Sequence, residues 1–141
     1  MYMEDPYEAM KRFRRYLDDV FRDFFKREVD FMEMGARVPR LSVEQEKDSY
    51  VYILEMPGLS KNDVSITVDE GNIYIEGKKT SKKEKKSKST YEFSSSTFSY
   101  KRVIPLPPLA DPNSIKAEMK NGLLIIRVKK RKVKGKKVKI E

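Results

Sequence analysis

The chain has 141 residues, 38% of them hydrophobic and 38% charged, and its 31 Lys and Arg outweigh 22 Asp and Glu for a net charge of +9. A typical domain is only about a quarter charged, so the composition supports one domain with a small core, a heavily charged surface and flanking arms. Without cysteine, histidine or tryptophan, the chain has no disulfide, no thiol nucleophile, none of the commonest zinc ligands and no imidazole base, which excludes Ser-His-Asp and Cys-His catalysis.

No apolar run approaches the ~18 residues that cross a bilayer. The opening Met1-Tyr2-Met3-Glu4-Asp5-Pro6 lacks the basic and apolar regions of a signal peptide. The expectation is a soluble cytoplasmic protein with no obligatory membrane partner, and the absence of cysteine fits a reducing compartment.

In chain order, residues 1–38 form the first texture. Asp5-Pro6-Tyr7-Glu8 is laid out as a helix start: Asp5 accepts from free amides, Pro6 suits the first helical position, and Glu8 sits where a capping box needs it. Met10, Phe13, Leu17, Val20, Phe21, Phe24 and Phe25 then recur at spacings of three and four, which predicts an amphipathic helix. Gly35 is its natural stop. Five of the seven Phe and five of the seven Met fall here.

From residue 39 to 130 the period changes to two. Val64, Ile66 and Val68 alternate with Ser65, Thr67 and Asp69; Ile73 and Ile75 with Tyr74 and Glu76; Ile115, Ala117 and Met119 with Lys116, Glu118 and Lys120. These are strands with one wet face. Tyr50 to Met56 is apolar on both faces, so it belongs deeper, and Pro57-Gly58 ends it in a turn. Asn121-Gly122 between two alternating runs predicts a two-residue hairpin. Short strands at this turn frequency predict an all-β sandwich or barrel. Residues 131–141 read as a lysine-rich extension that closes on Val138-Lys139-Ile140, two β-branched side chains pointing the same way from an extended strand.

The positive charge is concentrated. Lys78 to Lys88 holds seven lysines against Glu84, and Arg127 to Lys139 holds nine basic and no acidic residues, which leaves the remainder mildly acidic. Such runs are solvated loops or tails, or else nonspecific phosphate binders.

Three motifs in order narrow the reading. Glu55-Met56-Pro57-Gly58-Leu59-Ser60-Lys61-Asn62-Asp63-Val64 comes first. Tyr100, Arg102, Ile104, Leu106 and Pro107 follow, with Ala110-Asp111-Pro112. The hairpin from Ala117 to Val128 closes the set. Together they resemble the α-crystallin domain of the small heat shock proteins over residues 39–130, and Val138-x-Ile140 resembles the family's C-terminal I/V-x-I motif. Two positions depart from the family pattern: Ser95-Ser96 stands where many relatives carry Gly, and Lys129 replaces the usual Pro after Val128.

The resemblance implies an immunoglobulin-like β-sandwich with an N-terminal helical arm and a short extended tail. It implies a homo-oligomer built from dimers, in which a strand on the Lys78–Thr97 loop, at Thr90 to Phe93, swaps onto the partner. Tyr91, Phe93 and Arg102 become dimer-interface candidates, although Arg102 also reads as a snorkelling edge arginine. Val138 and Ile140 either fray or dock in a neighbour's groove, with Val64, Ile66, Val68, Ile115, Ala117 and Leu123 as groove candidates. The stripe of Phe13, Leu17, Phe21, Phe24 and Phe25 is core against the sandwich, a membrane-surface helix, or an arm that binds unfolding client proteins. The function implied is an ATP-independent holdase with no catalytic, cofactor or metal site; no phosphate loop is present. Two rivals stand beside it. One is a co-chaperone adaptor of the CS-domain type. The other is a basic nucleic-acid binder, against which stands the lack of aromatics interleaved with the lysines.

Overall fold

The computed structural model describes residues 5–22, 24–131 and 137–141, with the side chains of residues 24–26 and 28 outside the description. Helix α1 spans Pro6–Arg22 and α2 spans Phe24–Glu33. The start is capped as its sequence requires: the Tyr7 amide donates to Asp5 Oδ1 at 3.0 Å and the Ala9 amide to the Asp5 carbonyl. At the other end Gly35, at φ +81°, closes a Schellman motif in which Ala36 N–H donates to the Phe31 carbonyl and Gly35 N–H to that of Met32.

Seven strands follow: β1 Arg40–Gln45, β2 Ser49–Glu55, β3 Val64–Asp69, β4 Asn72–Lys86, β5 Tyr91–Pro105, β6 Lys116–Lys120 and β7 Leu123–Lys129. All pairings are antiparallel, in one sheet of order β1-β2-β7-β6 and a second of order β3-β4-β5. Two-residue turns join β3 to β4 and β6 to β7. Each has two consecutive left-handed residues, Glu70-Gly71 and Asn121-Gly122, the backbone that makes tight hairpins twist correctly. The Met56 amide donates to the Gly122 carbonyl at 2.8 Å, and a Cβ on Gly122 would meet Pro57 at 3.2 Å. The second hairpin is thereby packed onto the turn that ends β2.

Tyr50, Tyr52, Leu54, Leu124, Ile126 and Val128 of the first sheet pack against Ile73, Ile75, Tyr100 and Ile104 of the second. This is the expected sandwich core. The apolar stretch that ran on both faces, β2, is an inner strand of its sheet, with buried residues at both Val51 and Tyr52. Lys129 extends β7 where the family pattern has proline: its amide donates to Ser114 Oγ at 2.8 Å, a bond that proline lacks the hydrogen to make.

One expectation is corrected here. Residues 78–97 do not form a loop. β4 and β5 stay in register from Asn72↔Pro105 out to Lys86↔Tyr91, so a two-stranded ribbon projects beyond the sandwich. The physical reason is legible: no Gly or Pro interrupts residues 78–104, and main-chain ladder bonds need no apolar face. Thr80 and Thr97 add a hydroxyl contact across the ladder at 3.0 Å, and Ser87 and Thr90 close the tip.

Candidate functional site

Three surfaces gather the residues singled out above. The first is a rim groove. Arg102 on β5 donates from Nη1 to the Pro39 carbonyl, immediately before β1, at 3.1 Å, so β5 of one sheet lies toward the β1 side of the other. The opposite rims, β3 and β6, therefore share the other side of the sandwich. Val64 and Ile66 are half-buried, while Val68, which pairs with the fully buried Ile73, is still 38% exposed. On the facing rim, Ile115 and Met119 are half-buried and Ala117, opposite the buried Ile126, is exposed. Inward-facing side chains that remain open to solvent mark an apolar cleft between the sheets.

Leu123 is not part of that cleft. Along β7, Leu124, Ile126 and Val128 face inward and are buried, so the period of two places Leu123 on the outer face, paired with Lys120 and Glu55. Met119, opposite Leu124, takes the position the sequence reading assigned to Leu123. Val138 and Ile140 are 75% and 93% exposed, so neither side chain is buried on its own chain.

The second surface is the ribbon. Tyr91 and Phe93 are exposed, and the register sets them opposite Lys86 and Glu84. The Lys86 ammonium lies 5.8 Å from the centre of the Tyr91 ring. Tyr91, which merely follows the lysines in sequence, thus lies beside one of them in space. Tyr91 and Phe93 pair with their own chain's β4, and the strand expected to swap is here the distal end of β5. Arg102 does not snorkel: it is buried, flanked on its strand by buried Tyr100 and Ile104. Next to it, the Arg37 amide and carbonyl bond to Ser99 and Lys101 on the edge of β5 at 2.8 and 2.9 Å.

The third surface is the seat of α1. Val20 and, beyond the stripe read from sequence, Tyr16 are buried on the sandwich. Phe13 packs against the core with its ring stacked on Tyr50 at 6.2 Å. The Tyr16 hydroxyl meets that of Tyr52 at 2.7 Å and also donates to the Pro105 carbonyl, so one side chain ties the helix to both sheets. Burial pushes both phenol pKa values far up, which keeps these hydroxyls protonated as donors. Of the remaining stripe, Leu17 is half-buried and Phe21 exposed; Phe24 and Phe25 lie in α2, their side chains outside the described residues. The missed signal was the spacing 13, 16, 20, a helical face running beside the Phe-rich one; tyrosine ranks between core and surface residues and draws less attention.

Among the described residues no three acidic side chains are grouped to hold a metal ion, and no helix is long and apolar enough to cross a membrane. Residues 42–141 match the Hsp20/alpha crystallin family. The chain is 32% identical to small heat shock protein C2 of Rickettsia felis over 91% of its own length and 85% of the relative's. It is 31% identical to the 16.9 kDa class I heat shock protein 3 of Oryza sativa subsp. japonica, over 86% and 83%. In three dimensions it is similar to heat shock protein 16.0 from Schizosaccharomyces pombe, with a TM-score of 0.57 and 25% identity over 89% of this chain and 90% of that one.

Proposed function

This chain belongs to the Hsp20/alpha crystallin family, and from that premise we propose that it is an ATP-independent holdase that assembles from dimers into larger homo-oligomers and suppresses aggregation of unfolding proteins in the cytoplasm. Its working parts are an arm at 1–38, the sandwich at 39–130 and an extension at 131–141. The observation that carries the reading is a pair of apolar features in the single chain: the rim cleft, where Val64, Ile66, Ile115 and Met119 are half-buried and Val68 and Ala117 exposed, and the outlying, exposed Val138 and Ile140. Each feature suits the other on a sister copy. Burying two such side chains contributes roughly 1.5–3 kcal/mol each before ordering costs. Repeated around a closed assembly, contacts of that size hold firmly yet exchange.

The ribbon serves the dimer, with Tyr91 and Phe93 presented to the partner and Arg102 fixing the rim behind them. The Phe- and Met-rich arm supplies adaptable apolar surface for clients, and burial of that surface drives capture without nucleotide. Light scattering of a heated client, with no ATP added, together with native mass measurement tests the reading. Expected are suppressed turbidity and a multi-subunit mass that falls to dimers or small species in Val138→Ala/Ile140→Ala. A lone monomer that leaves the client turbid would refute it, and an adaptor of the CS type would run in that way. A basic nucleic-acid binder would instead show affinity that collapses with salt.

A further inference from the structure

The ribbon concentrates positive charge. Residues 78–88 hold seven lysines against Glu84, and each of those lysines is exposed. The period of two sorts the ones on β4 onto two faces. Ile73 and Ile75 point into the core, so odd positions of β4 continue the core-facing side and even positions the outer one. On the outer face the rungs run Lys78↔Ser99, Thr80↔Thr97, Lys82↔Ser95, Glu84↔Phe93 and Lys86↔Tyr91.

That face sets three chemistries in one strip. Its lysines recur at every fourth residue, about 13 Å apart along the strand. Hydroxyls stand between and opposite them: those of Thr80 and Thr97 meet at 3.0 Å, and Ser95 pairs with Lys82. At the far end Tyr91 and Phe93 are 60% and 56% exposed, two residues and so about 7 Å apart. The Lys86 ammonium lies 5.8 Å from the centre of the Tyr91 ring. Glu84 is the carboxylate among these rungs, and Lys86 engages it at 3.5 Å. The core-facing side is poorer. There Lys79 is bonded to the Gly58 carbonyl at 2.9 Å, Lys85 pairs with Glu92, and the ring, Phe98, is half-buried with Arg37 5.0 Å from its centre.

Lysines, hydroxyls and open rings in one row match a single-stranded nucleic acid. Ammonium groups neutralise phosphates, hydroxyls bond to phosphate and sugar, and rings stack on bases. A duplex keeps its bases paired and offers such rings nothing to stack on. A membrane surface fits less well, because the leading tip, Ser87-Lys88-Ser89-Thr90, is polar throughout. We propose that the outer face of the ribbon is a binding site for single-stranded nucleic acid, with Lys78, Lys82 and Lys86 on the phosphate backbone and Tyr91 and Phe93 stacked on bases. This activity goes beyond the holdase reading and stands beside it. The same two rings serve the dimer, so strand and partner copy exclude each other at the ribbon's end; that clause rests on the dimer reading, and the lysine grip does not.

The test is anisotropy of a short fluorescein-labelled oligouridylate titrated with the full chain. Wild type should bind it, with log affinity falling about two units per tenfold rise in salt, as three phosphate contacts on a single strand require. Lys78→Gln/Lys82→Gln/Lys86→Gln should lose at least about tenfold in affinity and most of that salt dependence. Lys79→Gln/Lys83→Gln/Lys85→Gln removes the same charge from the other face and should lose no more than about threefold. Tyr91→Leu/Phe93→Leu, which keeps apolar bulk for the partner copy, should lose about tenfold. All eight side chains are exposed, so the variants keep the fold. No binding by wild type, or equal losses in the two lysine variants, would overturn the proposal, since charge alone would then be at work. So would inorganic polyphosphate or phosphatidylglycerol vesicles displacing the strand while the ring variant binds as wild type does. Client turbidity with wild type judges the holdase reading separately, and its failure leaves the comparison between the two faces intact.

Discussion

The two halves of the β4–β5 ladder share one register and differ in everything else. From Asn72↔Pro105 to Gly77↔Tyr100 every second residue of each strand is buried, with Ile73 and Ile104 fully so. From Lys82↔Ser95 to Lys86↔Tyr91 every residue is exposed. Main-chain hydrogen bonding is nearly indifferent to side chains and carries the ladder outward; burial is decided by whether the inward positions are apolar. A strand thus need not end where its core ends, and the part that outruns the core is free to meet another molecule.

The sharpest way to break that contrast is to hollow the inner half's surroundings. Leu54→Ala removes a fully buried side chain that packs across the sandwich, and chemical denaturation at fixed protein concentration should show a loss of about 2–5 kcal/mol. A smaller loss, of about 1 kcal/mol, is expected for Gly77→Ala, at the border between the halves. A Cβ there would come within 2.4 Å of Leu59 Cδ1 and 2.6 Å of Met56 Cε. Both are tips of flexible side chains and can yield, though Met56 is fully buried. The outer half should barely respond: Tyr91→Ser/Phe93→Ser is expected to change the stability of the isolated subunit by no more than about 0.5 kcal/mol, while native mass shows weakened dimers. If that pair costs as much as Leu54→Ala with the dimer intact, the ribbon belongs to the core and the contrast fails.

The helix makes the same point from the other direction. The start of α1, the stop of α2 at Gly35 and the amphipathic character of the segment follow from Asp5-Pro6, from the glycine and from apolar spacing, all local properties. Which face would be buried does not follow. The Phe-rich stripe carries more apolar area, yet the seat accepts the neighbouring face, because Tyr16 can satisfy its hydroxyl on Tyr52 and Pro105 and bury its ring on Tyr50. That choice depends on groups 36 and 89 residues away in the chain.

Short-range chemistry was enough, from sequence, for the all-β class, for the turns at Pro57-Gly58 and Asn121-Gly122 and for the concentration of charge. These rest on a period of two, on backbone angles that particular residues favour, and on the residue types present, none of which needs a third dimension. The tertiary structure alone decided that the β3 and β6 rims share one side of the sandwich, that the lysine-rich stretch is a paired ribbon with Tyr91 beside Lys86, and that Tyr16 anchors α1. Each of those depends on which strand lies opposite which, and strand pairing joins residues whose separation along the chain leaves no local trace.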